Sequence, residues 1–344
     1  MKTGFRLFVV LLLSLVVLHA GGEQRFAELG DFKLESGQII KDCRIGYRIL
    51  GEMNAEKSNV ILYPTWFGGS SEHVAKLVGP GKLVDNSELC VIVVDALGNG
   101  VSSSPSNSRR QRNAKFPEFT IHDMVESQYR LLTEHLGVRH LYGIIGGSMG
   151  SFQTFDWLVS YPKFMDKALP YVCSPALSSF DLLRQRLELE IIETVRDARR
   201  PEREIQRLTN IYTELFARTP EYIVRHHPRE EFETFFAGFD REPSEQFTSW
   251  NKAAQLRAMQ HHDIYRRFHN SAEETAAAIH AEVLMIVSAT DHLVNPLPAM
   301  EFARLLDCEI VVLENDCGHL AIGCEMERCA AIVNTFFKKS LTSE

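Results

Sequence analysis

The run His140-Leu141-Tyr142-Gly143-Ile144-Ile145-Gly146-Gly147-Ser148-Met149-Gly150 constrains the fold more than any other stretch of this chain. Its apolar part, β-branched at Ile144 and Ile145, reads as a buried strand. It ends abruptly in Gly146-x-Ser148-x-Gly150, and helix-forming sequence from 152 to 159 follows at once. A strand that becomes a helix within three residues puts the serine at a strained backbone position. A Cβ at position 146 or 150 would collide in so sharp a turn. The Ser148 hydroxyl then projects clear of the sheet, beside the free N–H groups and positive dipole end of the new helix. That setting suits a nucleophile whose attack develops negative charge.

The remainder of the chain supplies a matching frame. Alternating segments between 26 and 53 suggest an antiparallel hairpin. Short buried-type strands follow at 59–63, 90–95, 141–145 and 167–173, interleaved with amphipathic helices. One helix is well signed: Thr120 as N-cap, Asp123 three residues on, apolar Ile121, Val125, Leu132 and Leu136, and Gly137 as stop. This alternation predicts an α/β fold with a mostly parallel central sheet and helices on both faces. From 174 to 280 the strand signal disappears into charged helical sequence, before strands resume at 283–288 and 309–313 and a helix closes the chain from 326 to about 340. The predicted organisation is therefore a core of 23–173 and 281–344, with 174–280 as a helical cap inserted between two core strands.

A serine hydroxyl needs a base, and the base an orienting acid. Asp291 follows the strand at 283–288, and His319 follows the strand at 309–313 in Asn315-Asp316-Cys317-Gly318-His319. Both fall at strand C-termini, the edge where open α/β sheets hold their sites. The expected triad is Ser148, Asp291 and His319, with Asp316 and Asp95 as runner-up acids. An oxyanion would be held by the N–H after the nucleophile, Met149, and by one from the loop Tyr63-Pro64-Thr65-Trp66-Phe67. Pro64 has no N–H, so Trp66 is the expected donor and Thr65 the second choice.

Other signals point away from alternatives. A net charge of −8 gives no electrostatic case for nucleic acid. The adjacent pairs His226-His227 and His261-His262 do not share a helix face, so no metal site is expected. The glycines at 143–150 lack GxGxxG spacing, and no cofactor is expected. The N-terminus, with Lys2 and Arg6 before an apolar run at 7–18 and small residues at 20–22, reads as a signal peptide spanning 1–22. An uncleaved anchor is the alternative. Cleavage implies a secreted or periplasmic protein without stable membrane association. Export permits disulfides. Of the seven cysteines, Cys90 and Cys173 sit in apolar runs as small hydrophobes, while Cys317, Cys324 and Cys329 cluster closely enough for one pair.

With these residues placed, the sequence resembles the homoserine O-acetyltransferase-like (MetX-like) branch of the α/β-hydrolases. The likeness rests on Gly79-Pro80-Gly81-Lys82 with Asp85, the stretch 97–107, Gly146–Gly150 with Gln153 and Trp157, and 258–264. The resemblance implies an α/β-hydrolase fold and an acyl-enzyme mechanism on a small ester or other acyl substrate. One departure matters. Homoserine acetyltransferases carry Gly-His-Asp at the base, where the acid helps hold the substrate's amino group. Here Leu320 follows His319 and cannot bind an ammonium group. Water is then the expected acyl acceptor, with transfer to another hydroxyl or amine as the alternative. A non-catalytic binding module on the same scaffold is the reading from another class. Whether the chain forms a homodimer is left open by the sequence.

Overall fold

The computed structural model describes residues 22–338. The predicted signal segment thus lies, up to residue 21, outside the described residues. Eight strands form one sheet: β1 (Arg25–Lys33), β2 (Ile39–Leu50), β3 (Val60–Pro64), β4 (Cys90–Val94), β5 (Leu141–Gly147), β6 (Met165–Tyr171), β7 (Glu282–Ser288) and β8 (Glu309–Leu313). Their order is β1-β2-β4-β3-β5-β6-β7-β8. The β1–β2 hairpin is antiparallel and β2 joins β4 antiparallel; every pairing from β4 to β8 is parallel.

The inner strands are buried on both faces, which is why they read as continuous apolar runs. Alternate residues feed two cores. Val60 and Leu62 of β3, Cys90, Ile92 and Val94 of β4, and Ile144 of β5 face one layer. Ile61 and Tyr63, Val91 and Val93, and Ile145 face the other. Cys90 and Cys173 are buried, as small hydrophobes should be.

The helices are α1 (Ser71–Ala75), α2 (Ile121–Arg130), α3 (Met149–Ser160), α4 (Ser179–Asp197), α5 (Glu202–Ala217), α6 (Pro220–His226), α7 (Phe232–Ala237), α8 (Ser249–Gln260), α9 (Ala272–Ala277), α10 (Leu297–Leu306), α11 (Ala321–Cys324) and α12 (Met326–Lys338). Helix α2 starts as expected: the Thr120 hydroxyl accepts from the Asp123 N–H, and the Asp123 carboxylate accepts from the Thr120 N–H at 2.8 Å. It does not run as one α-helix to Leu136. Residues Leu131–His135 widen into a π-turn, in which the Leu136 N–H bonds five residues back to Leu131, before Gly137 turns at φ 62°. Helices α4 to α9 all fall between β6 and β7, which are hydrogen-bonded neighbours. The insertion therefore leaves and re-enters the sheet at adjacent strands.

Candidate active site

Ser148 sits between β5 and α3 with φ 54° and ψ −126°, a conformation that side-chain-bearing residues rarely adopt. Two close approaches enforce the turn. A Cβ on Gly146 would lie 2.2 Å from the Gly150 carbonyl oxygen, and one on Gly150 would lie 2.8 Å from the Pro64 oxygen. The second contact brings the start of α3 against the loop after β3. Ser148 is further tied to β6, donating its N–H to Tyr171 O at 3.1 Å.

At β7 and β8 the expected acid and base meet. Asp291 Oδ2 accepts from His319 Nδ1 at 2.7 Å, and both side chains are buried. Asp291 Oδ1 meanwhile accepts from the N–H groups of Leu293 and Val294 at 2.8 and 2.9 Å. One carboxylate oxygen thus anchors the acid to its own turn, and the other fixes the imidazole so that Nε2 is left for chemistry. The runner-up acids are committed elsewhere. Asp95 accepts from the Ser71 N–H and Asn99 Nδ2, and Asp316 lies 3.0 Å from Arg225.

The loop after β3 narrows the choice of second oxyanion donor. The Thr65 N–H is consumed by Val94 O at 3.1 Å. Trp66 is the next N–H along the chain. As the first residue of α3, Met149 has no intrahelical acceptor for its own N–H.

A cavity of about 40 Å³ opens onto Ser148 and is lined by Phe67, Phe152, Leu256, Met259, Leu293 and Val294, with Arg184, Gln185 and Glu188 of α4 closing it. Sequence reasoning did not single out these polar residues, reading that segment only as charged and helical. All three are buried. Burial raises the Glu188 carboxyl and lowers the Lys252 ammonium from their ordinary values, against their mutual attraction. Size alone does not mark the site. A cleft of about 360 Å³ elsewhere is lined by His122, Asp156, Arg257 and Arg267 and contains neither Ser148 nor His319.

Three of the four paired histidines have local partners. His262 stacks on Phe152 and donates from Nε2 to Ser174 O at 2.9 Å, while His226 stacks on Tyr222 and His227 on Phe235. Of the three clustered cysteines, Cys317 and Cys324 form a disulfide that spans His319, and Cys329 is buried and free.

Sheet order, strained serine and an acid–base pair at the strand ends define an α/β hydrolase. Residues 59–323 match the alpha/beta hydrolase fold family, to which this chain belongs. Its relatives within the family include both esterases and homoserine O-acetyltransferases. An ethyl acetate hydrolase of Pseudomonas veronii is 37% identical over 175 residues, half of each chain. A homoserine O-acetyltransferase of Geotalea uraniireducens is 26% identical over 357 residues, covering 91% of this chain and 95% of that one. Among solved structures, the acetyl esterase MekB superposes with a TM-score of 0.84 at 25% identity, over 94% of this chain and 98% of its own. The chain spans about half the length of the first curated relatives it matches.

Proposed function

We propose that this protein is a serine esterase of the homoserine O-acetyltransferase-like branch, acting on small carboxylic esters through Ser148, His319 and Asp291. His319 Nε2 takes the proton from Ser148 Oγ as the oxygen attacks the ester carbonyl. The N–H groups of Met149 and Trp66 hold the oxyanion, and the proton passes to the departing alcohol. His319 then deprotonates a water that attacks the acyl-enzyme, releasing acid and restoring the serine. The observation that carries this reading is the bond from Asp291 Oδ2 to His319 Nδ1, at the same sheet edge as a serine held at positive φ.

The small cavity favours a short acyl group, since about 40 Å³ compares with roughly 30 Å³ for one water molecule. The relatives named for ethyl acetate and acetyl ester hydrolysis support the same choice. Segment 174–280 acts as the cap over that cavity, through α4 and α8. We also assign the protein to an exported, oxidising compartment; the Cys317–Cys324 disulfide and the apolar N-terminal run support this.

Ser148→Ala assayed on p-nitrophenyl acetate should lose at least about 10³-fold in kcat with little change in Tm. Unchanged turnover would refute the mechanism. The relatives named homoserine O-acetyltransferase favour a second reading, transfer to a hydroxyl or amine acceptor. Product analysis separates the two: with acceptors present, a hydrolase still yields only free acid.

A further inference from the structure

Gln153 lies one turn into α3 and is fully buried, yet it is neither nucleophile, acid nor base. Its carboxamide spends both N–H bonds on backbone carbonyls: Nε2 donates to Thr65 O at 3.0 Å and to Met149 O at 3.1 Å. The second bond lies within α3. The first crosses to the loop after β3, and its target matters. Thr65 C=O and Trp66 N–H belong to one planar peptide unit and point in opposite directions. Whatever fixes that oxygen fixes the direction of the Trp66 N–H. Thr65 is already pinned by its N–H on Val94 O and by its hydroxyl, which accepts from the Ala96 N–H at 3.0 Å.

An amide side chain could present either end to that carbonyl, and only the nitrogen end donates. The choice is made two residues away. Trp157 Nε1 can only donate, and it donates to Gln128 Oε1 at 2.8 Å. With its oxygen held there, Gln128 offers Nε2 to Gln153 Oε1 at 2.6 Å. With its own oxygen held, Gln153 turns Nε2 toward Thr65 and Met149. All three side chains are buried, so a reversed amide would leave unpaired polar atoms away from water. The indole thus sets the polarity of a relay that runs from Trp157 on α3 through Gln128 on α2 to Gln153.

We propose that Gln153 is a positioning residue for the oxyanion site: held in one orientation by Trp157 and Gln128, it aims the Thr65–Trp66 peptide so that the Trp66 N–H meets the oxyanion. This deepens the acyl-enzyme reading above and rests on it. The test uses the full enzyme with Gln153→Met, which keeps the volume without the donors, and Trp157→Phe, which removes the polarity-setting donor together with part of the buried ring. For Gln153→Met, kcat on p-nitrophenyl acetate should fall about 10- to 100-fold while KM stays within about threefold. Affinity for an alkyl trifluoromethyl ketone should fall by the same factor. That inhibitor forms a bond from Ser148 Oγ to the ketone carbon, sends the serine proton to His319 and leaves the former carbonyl oxygen as an oxyanion. The pH midpoint of kcat should not move. Trp157→Phe should show a smaller loss with the same signature. A drop in Tm with wild-type kcat and ketone affinity, in either variant, overturns the proposal, because that is what a purely structural glue would give. If Gln153→Met does not fold, Trp157→Phe carries the test alone. Ser148→Ala in parallel separates the failures: an active Ser148→Ala sinks the acyl-enzyme reading, whereas an inactive one beside a fully active Gln153→Met sinks only the role of Gln153.

Discussion

His262 should make the fold acid-sensitive by a calculable amount. Its ring is buried against Phe152, and burial lowers its pKa from the ordinary 6.5 to about 4. The bond to Ser174 O and the charges of Asp156 and Asp263 push the other way, with Arg266 adding to the lowering, and burial wins. The unfolded chain takes up a proton below pH 6.5, and the folded chain does so only near pH 4. Stability from this group is therefore intact at neutral pH and lost as pH falls through that window. At about 1.36 kcal/mol per unit, a gap of some 2.5 units gives a ceiling near 3 kcal/mol, of which about 2.4 kcal/mol should be gone by pH 4.5. The comparison is His262→Phe, which retains a ring to stack on Phe152 but cannot titrate. Its lost hydrogen bond costs about 1 kcal/mol at every pH. Urea unfolding of both proteins at pH 7 and pH 4.5, about the ends of the useful window, cancels every other titrating group. Wild type should lose about 2 kcal/mol more than the variant on acidification. Equal losses would refute the account, since they would mean that His262 is protonated in the folded state too.

Two further outcomes follow from buried or braced contacts. Tyr63 and Tyr171 share a hydroxyl–hydroxyl bond of 2.6 Å behind the elbow, so Tyr63→Phe should cost about 1–2 kcal/mol in urea unfolding and the double Phe variant less than the two singles summed. Cys317→Ser/Cys324→Ser should lower stability by about 2–3 kcal/mol, since the bridge closes a short loop, and a count of seven free thiols in denatured, unreduced wild type would deny the bridge altogether.

What could be read from the sequence and what could not divide along physical lines. The elbow was legible because a steric demand has a fixed local spacing: Gly146, Ser148 and Gly150 answer one turn. Asp291 and His319 were legible because buried strands announce their ends, and chain order then limits which acid and base can meet there. The polar lining of the Ser148 cavity was not legible. Arg184, Gln185 and Glu188 lie in a run that looks solvated, and they are buried only because α4 packs against α5 and α8. The relay through Gln128, Gln153 and Trp157 was hidden for a related reason. Gln153 and Trp157 stood out by resemblance, but Gln128 joins them only through the packing of α2 on α3. The pairing of Cys317 with Cys324 was open among three cysteines until Cys329 was seen to be buried on α12.

The two sides of the site draw on the sheet and on the helical insertion in different proportions. On the nucleophile side, Ser148 is fixed by β6 through Tyr171 O, and Gln153 ties the start of α3 to the loop after β3; all of these partners belong to the sheet and its covering helices. On the acid–base side the partners come from the helical insertion. Asp181 near the start of α4 accepts from the Asn295 N–H at 2.9 Å, four residues beyond Asp291. Thr219, which caps α6, donates its hydroxyl to Asp316 O at 2.6 Å, and a Cβ on Gly318 would sit 2.7 Å from Ala217 O at the end of α5. His319 itself rides on a single 3₁₀ turn, Gly318–Leu320, whose own backbone hydrogen bonds are too few to hold an imidazole in register. The disulfide compensates by tying the residue before that turn, Cys317, to the end of α11 at Cys324. The insertion also reaches the nucleophile side: Gln255 of α8 accepts from the Gly68 N–H at 3.0 Å, two residues beyond Trp66, and His262 stacks on Phe152 of α3. The insertion that closes the cavity beside Ser148 thus touches both the loop after β3, through Gln255, and the turn after β7, through Asp181.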